Sequence, residues 1–177
     1  MRLLITSANP WEAASHLDDK LLTMYAHVGT QMLCTALYNR GLWSVLLYPP
    51  TCEYYMCVQW AAASRNNFIW VYHYVSEVIK EYRMRGLGRA ERHLVVLGQC
   101  WDIFQARKEV FPKTELTEFP NDTPYKTYLH PEEAYRKYLL DDLWDDKTTW
   151  TINRVPKKKP WFYREPIKVQ YPRNLFA

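Results

Sequence analysis

Residues 64–86 read SRNNFIWVYHYVSEVIKEYRMRG and contain the clearest helical period in the chain. Apolar residues recur every three or four positions and share one helix face: Phe68, Val71, Val75, Val78 and Tyr82. Ser64 is a favourable N-cap, and Gly86 is a typical helix stop. The stretch therefore predicts a long helix that turns one apolar stripe towards a core.

Helix signals also precede this stretch. Asn9 can cap a short helix, with Pro10 in its first position and Glu12 completing a capping box. Residues 18–40 begin with acids and then repeat apolar side chains at helical spacing, which predicts a second long helix. Residues 3–5 are an apolar run and predict a short strand at the start of the chain.

The later part of the chain alternates helical and irregular patterns. Residues 90–104 have a broad apolar face, which predicts a buried helix, and a further helix begins at Pro131. Residues 111–128 contain three prolines and no sustained period, which indicates a structured loop. We predict a mainly α fold of about five helices in residues 1–146, with a short N-terminal strand, and an extended arm in residues 147–177.

Positive charge is concentrated in this arm. Residues 147–177 hold eight Lys and Arg but one acid, so they carry +7 in a chain whose net charge is +4. Aromatic residues are interleaved with the cations: Trp150, Trp161, Phe162, Tyr163, Tyr171 and Phe176. Four prolines disfavour a helix or a central strand. Such an arm can bind nucleic acid through phosphates and bases, or it can bind the groove of an acidic protein.

Composition narrows the class of protein. The chain has 177 residues, enough for one core, and 16% of them are aromatic. No apolar run approaches the roughly 20 residues of a membrane helix, and no export signal opens the chain, so we expect a soluble cytoplasmic protein without a membrane partner. Cys52 and Cys57 lack a second matching pair or a nearby His, which favours reduced thiols and no metal site.

Catalytic signatures are sparse. The sequence has no glycine-rich phosphate loop after a strand, no Gly-flanked nucleophilic Ser and no paired-His motif, so we expect no cofactor. Asp18, Asp19 and Lys20 at a helix start are weak candidates for acid or amine chemistry. Acids in a first helical turn also serve as caps with solvated neighbours, and both interpretations stay open.

Two polar clusters are candidate binding sites. Arg65, Asn66 and Asn67 at a helix start can bind phosphate and read base edges, although capping explains Ser64. Residues 121–126 form a turn whose polar side chains either satisfy local backbone groups or face a ligand.

These clusters belong to a wider pattern. The matching positions cover most of the chain: the opening apolar run, Asn9-Pro10, Ala13-Ala14, Asp19-Lys20, residues 31–37 (QMLCTAL), Cys57, Trp60, Ser64, Asn67, Trp70, Glu81-Tyr82, Leu116-Thr117, Phe119-Pro120-Asn121, residues 123–126 (TPYK), residues 133–138 (EAYRKY) and Trp150-Thr151. In this pattern the chain resembles a group of small bacteriophage proteins described as similar to pyrimidine-dimer DNA glycosylases of the endonuclease V type.

The chain departs from that family at several polar positions. Leu21 stands in place of a His, Val28 in place of a Glu, Cys52 and Tyr55 in place of His residues, and Ala62-Ala63 in place of an Arg-Glu pair. The resemblance implies attack on the sugar by an N-terminal amine, whose pKa is ordinarily about 7.7–8.0. Here Arg2 is too bulky for ordinary removal of Met1, so the amine would belong to Met1, and no Glu can be assigned to assist it.

The resemblance implies a nucleic-acid-binding phage protein on a glycosylase-like scaffold, acting on DNA rather than RNA, without full catalytic activity, in the cytoplasm of the infected host cell. In this interpretation the residues that line the pocket are Arg65, Asn67, Trp70, Asn121 and Lys126, and the cations of the arm that contact backbone phosphates are Lys157, Lys158, Lys159 and Arg164.

Two alternatives remain. One is a non-catalytic subunit of a phage-encoded assembly, in which the arm wraps an acidic protein and the retained polar residues only hold the loop. The other is an active DNA glycosylase that uses Met1, Asp19 or Lys20.

Overall fold

The computed structural model describes residues 2–144, 147–152, 155–156 and 159–163. The predicted mainly helical fold is confirmed. The described ranges hold six α-helices: α1 (Pro10–Ser15), α2 (Asp19–Tyr38), α3 (Met56–Ala63), α4 (Arg65–Met84), α5 (Glu91–Arg107) and α6 (Pro131–Tyr138). A 3₁₀ turn (Lys108–Val110) extends α5, and a π-helical turn (Leu139–Leu143) extends α6.

Local capping explains where the first helices begin. The Asn9 side chain accepts hydrogen bonds from the backbone N–H groups of Trp11 and Glu12, as an N-cap should. The predicted capping box is completed differently: Ser7 Oγ accepts from the backbone of Asn9 and donates to Glu12 Oε2 over 2.7 Å. At the start of α2, Asp18 accepts from the Leu21 N–H over 2.8 Å.

Helices α2 and α4 form the centre of the core. The predicted stripe of α4 is buried from Phe68 to Val78, and only Tyr82 is partly exposed. Gly29 lets the two helices approach closely, because a Cβ at that position would lie 2.7 Å from Val75 Cγ2. The N-terminal helix α1 packs on α4, and α5 packs on α2.

Two expectations about individual segments were wrong. The apolar run at residues 3–5 is buried in the helical core, but it pairs with no strand in the described ranges, since helices surround it and offer no sheet edge. In α5 the buried face is narrower than predicted. Val96, Leu97 and Cys100 are buried, whereas Val95 is 64% exposed because α2 and α4 cover only one side of the helix.

The strands that the structure does describe lie in the arm. β1 (Thr151–Ile152) and β2 (Val155–Pro156) form a two-residue antiparallel ladder. Pro156 is compatible with such a strand because both strands are edges and need few ladder hydrogen bonds. The two paired segments of the arm therefore run antiparallel to each other at this point.

Candidate nucleic-acid interface

Asn67, a predicted pocket residue, holds a loop in place. Its Nδ2 donates to the Trp60 carbonyl over 2.9 Å and to Thr117 Oγ1 over 2.7 Å. Its Oδ1 accepts from the Thr117 N–H over 3.1 Å. The side chain is fully buried, so its amide is used to fasten residues 111–126 across the N-terminal half of α4.

Trp70 is likewise buried between neighbouring side chains. Its Nε1 donates to the Ala8 carbonyl over 2.7 Å. Its ring stacks on Tyr74 with centroids 5.5 Å apart, and Phe119 from the loop packs against it at 5.1 Å. The indole is thus part of the core rather than a platform on which a base can stack.

Arg65 is partly buried and is held through its Nε and its backbone. Its Nε donates to the carbonyls of Lys108 and Phe111 over 2.8 and 3.2 Å, and its backbone N–H donates to Pro112. Within the described part of the chain, its two terminal guanidinium nitrogens make no hydrogen bond or ion pair. Arg65 is therefore a preoriented cation that can still bind a phosphate.

The predicted turn at residues 121–126 is built from its own polar groups. Asn121 Oδ1 accepts from the N–H and the hydroxyl of Thr123, and its Nδ2 donates to the Tyr125 carbonyl over 3.0 Å. Lys126 Nζ donates to the Asn121 carbonyl, although the rest of this side chain is exposed. Of the two interpretations that the sequence left open, these contacts favour local backbone satisfaction.

A buried tyrosine cluster lies beneath this turn, close to the start of the chain. Tyr25, Tyr74 and Tyr135 are buried around Cys57, and burial raises the pKa of all four groups. The cluster is therefore neutral at physiological pH.

The edge of the cluster carries one ion pair. Arg2 Nε lies 3.5 Å from Asp122 Oδ2, a distance at which the charges attract without a well-formed hydrogen bond. The catalytic candidate Met1 lies outside the described residues.

Asp19, another weak catalytic candidate, anchors the arm. Its Oδ1 accepts from Arg85 Nη1 over 3.1 Å and from the Thr151 N–H over 3.2 Å, while its Oδ2 accepts from the Thr151 hydroxyl over 2.9 Å. Arg85 is fully buried and also binds Glu81 Oε2 over 2.8 Å. The neighbouring candidate Lys20 is exposed on the first turn of α2.

Aromatic side chains continue this anchorage. Trp150 is buried, donates from Nε1 to the His16 carbonyl over 3.1 Å and packs edge-on against Trp144 at 5.0 Å. Phe162 also stacks on Trp144, with centroids 5.5 Å apart. The described part of the arm thus packs on helices of its own chain.

One predicted cation of the arm can be placed. Lys159 is exposed, and its Nζ lies 4.4 Å from the centre of the Tyr163 ring. Lys157, Lys158 and Arg164 lie outside the described residues.

A groove between α4 and α5 is a feature that the sequence did not predict. Tyr72 of α4 and Trp101 of α5 stack across one end of it, with centroids 4.4 Å apart. Further along, a cavity of about 360 Å³ opens between the helices. Six residues line this cavity: Ser76, Ile79, Lys80, Arg83, Met84 and Leu94. Together with Gly98, these residues and the stacked pair define what we call the α4–α5 groove.

Gly98 keeps the middle of the groove open. It follows Leu94 by four residues and precedes Trp101 by three, so the three positions share one face of α5. A Cβ built on Gly98 meets no heavy atom within 4 Å. A planar group can therefore approach the backbone of α5 closely at this point.

Cations surround the other end of the groove. Lys80 is largely exposed and pairs with Glu77 over 3.1 Å. Arg83 also lines the cavity, is exposed and forms no ion pair with any residue that the structure places. The groove thus leads from stacked aromatic rings to the exposed cations Lys80 and Arg83.

A sequence signal for this groove existed. Tyr72, Ser76, Ile79 and Arg83 repeat at helical spacing on the face of α4 that adjoins the strongest apolar stripe. The pairing of α4 with α5 could not be predicted, because periodicity within one helix does not determine which helix lies beside it.

Comparison of the chain with protein-family models, curated proteins and solved structures finds no match. The resemblance to glycosylase-like phage proteins therefore stays a prediction that depends on the shared motif residues. None of the helices in the described ranges is long and apolar enough to cross a membrane. In the same ranges, no group of three or more His, Cys, Asp or Glu side chains could hold a metal ion.

Proposed function

We propose that the chain binds nucleic acid without cleaving it and that the α4–α5 groove is the contact surface. This proposal rests on the order of side chains along one groove, which runs from the Tyr72–Trp101 stack to Arg83. Stacking of a base on an aromatic side chain contributes about 1–3 kcal/mol per base, and arginine binds phosphate in a bidentate manner. A single strand presents both groups at once, whereas a duplex hides its base faces.

Binding without catalysis is supported by the contacts of the predicted catalytic residues. Asp19 is neutralised by Arg85, and the space beneath the 121–126 turn is filled by neutral tyrosines. A glycosylase that flips a base out of a DNA duplex needs a vacant pocket for that base, with a carboxylate or an amine at its end. A phage protein acting in the host cytoplasm on DNA is the setting that the motif resemblance implies.

The experiment is a salt titration of affinity. Fluorescence anisotropy with labelled single-stranded DNA should give a log–log slope of about −0.7 for each phosphate contact. Lys80→Gln combined with Arg83→Gln should lower the magnitude of that slope by about 1.4. Lys108→Gln with Lys113→Gln, two exposed cations near the start of α4, is the matched control and should change it little. Absence of binding at low salt would remove the proposal.

An exposed apolar surface favours protein binding as a second candidate function. The loop between α2 and α3 exposes Trp43, Val45, Leu46 and Tyr54, at 56, 80, 59 and 91%. The loop is fixed to α5, because Tyr48 Oη lies 2.9 Å from His93 Nδ1 and Arg92 stacks over the Tyr48 ring. A rigidly held apolar surface of this kind is typical of interaction sites.

The two candidates have separate tests. If a protein partner binds this loop, Val45→Ser with Leu46→Ser should release a stoichiometric partner and leave DNA affinity unchanged. Retention of that partner by the variant would contradict the second candidate.

Catalysis has a separate test. Borohydride added with damaged DNA should trap no covalent adduct; a trapped adduct would favour the glycosylase alternative.

A further inference from the structure

Two cysteines from different helices meet in the core. Cys34 lies on α2 and Cys100 on α5, and their Sγ atoms are 3.6 Å apart, within hydrogen-bonding distance for sulfur. Both side chains are buried. A disulfide has an S–S distance of about 2.05 Å, so the two sulfur atoms need to move together by about 1.5 Å.

The surroundings distinguish the two thiols. A hydrogen bond from Cys100 and another from the Tyr48 backbone N–H lower the pKa of Cys34 against the effect of burial. The same contact and burial raise the pKa of Cys100. Because the thiolate is the reactive species, these directions favour Cys34 as the attacking thiol and Cys100 as the second thiol of the pair.

We propose that Cys34 and Cys100 are a redox modification site at which a small peroxide forms a reversible disulfide between α2 and α5. The Cys34 thiolate attacks one oxygen of hydrogen peroxide, the O–O bond breaks, and the sulfur becomes a sulfenic acid as hydroxide takes up a proton. Cys100 then attacks the Cys34 sulfur, the S–O bond breaks, and a second water leaves. Two thiols and one peroxide thus give one disulfide and two waters. We specify a small oxidant because both sulfurs are buried and a larger reagent would not reach them.

The disulfide would act on a wall of the α4–α5 groove. Cys100 directly precedes Trp101, and α5 also carries Leu94 and Gly98, so a covalent tie to α2 would restrict movement of the groove wall. This consequence rests on the proposed function, whereas formation of the bond does not.

The test uses the full chain with Cys52→Ser, which removes the exposed thiol. This variant is treated with hydrogen peroxide while folded, and is then denatured, alkylated, digested and analysed by mass spectrometry. We expect a Cys34–Cys100 linked peptide lighter by two hydrogens, its loss after dithiothreitol, and an increase in Tm of roughly 5–10 °C. Cys34→Ser and Cys100→Ser should each abolish the peptide.

Complete alkylation of both thiols after peroxide treatment would overturn the proposal. Irreversible sulfinic acid on Cys34 with Cys100 still alkylated would do so as well, because it would show that Cys100 does not resolve the intermediate. If the reduced protein does not bind DNA, only the proposed function is contradicted, since the mass measurement involves no nucleic acid.

Discussion

Tyr72 and Trp101 stack with centroids 4.4 Å apart and planes inclined by 27°, and so join α4 to α5. Trp101 also contacts Phe104, which is buried in the core, at 5.5 Å. The aromatic end of the groove is therefore held by the fold itself. Past this stack the helices leave the cavity at Ser76 and Leu94 open.

Replacement of the groove tryptophan should weaken binding of single-stranded DNA. Trp101→Ala removes one stacking surface, so we expect a loss of about 5- to 150-fold in affinity at fixed salt. The salt dependence should stay unchanged because no charge is removed. Anisotropy titration measures both quantities. Trp43→Ala removes a more exposed tryptophan outside the groove, and an equal effect of both variants would place the contact elsewhere.

Filling the groove should block binding without unfolding the protein. Gly98→Leu places a side chain at a position where an added Cβ has no heavy atom within 4 Å, so the first added carbon fits beside the backbone of α5. Leucine also favours a helix more than glycine, and the free energy of unfolding should rise by up to about 1 kcal/mol. Urea denaturation and anisotropy test the two effects. Ala106→Leu, two turns further along α5, is the control; if it impairs DNA binding as strongly, the groove is not the contact.

Asn67→Ala should destabilise the protein and leave DNA affinity unchanged. The change leaves the Trp60 carbonyl and the Thr117 N–H without their partner, at a cost of about 1–3 kcal/mol in unfolding free energy. A base-reading role for Asn67 predicts the opposite pattern, with lost affinity at unchanged stability. Asn66→Ala, which removes one exposed hydrogen bond to Thr114, should cost less than about 1 kcal/mol.

Removal of the buried guanidinium should loosen the arm. Arg85→Met leaves the carboxylates of Asp19 and Glu81 without their cation, which should lower the free energy of unfolding by about 3–5 kcal/mol. Because Asp19 also binds Thr151, proteolysis near residues 147–152 should accelerate. Chemical denaturation and limited proteolysis measure these effects. Arg83→Met, two residues earlier in the chain, removes an exposed cation, and a comparable loss there would contradict the anchoring role.

Stability should fall on mild acidification because of His93. Burial, then the charges of His27 and Arg92, lower the pKa of His93 from its ordinary value of 6.5. The unfolded chain therefore binds the proton more readily, so the unfolding free energy falls as pH drops below 6.5 towards the folded pKa. NMR titration of the ring protons gives this pKa, and His27→Ala should raise it. A folded pKa at or above 6.5 would contradict this expectation.

Sequence reasoning predicted what local chemistry determines. The Asn9 and Ser64 caps and the long helices α2 and α4 follow from side chains within one turn of each other. Asn67 was placed in a pocket because its amide suits base recognition, but its partner Thr117 is 50 residues away. Pairing of distant segments also explains the missing N-terminal strand and the exposed Val95, since neither neighbour is encoded locally.

Photocrosslinking can locate bound DNA on the protein surface. Single-stranded DNA carrying 5-iodouracil is bound at low salt, irradiated and digested, and the attached peptide is identified by mass spectrometry. We predict attachment at Tyr72 or Trp101, because both rings lie where a base can stack at the aromatic end of the groove. Attachment confined to Trp43, Tyr54 or Trp161, with none in the α4–α5 groove, would contradict this prediction.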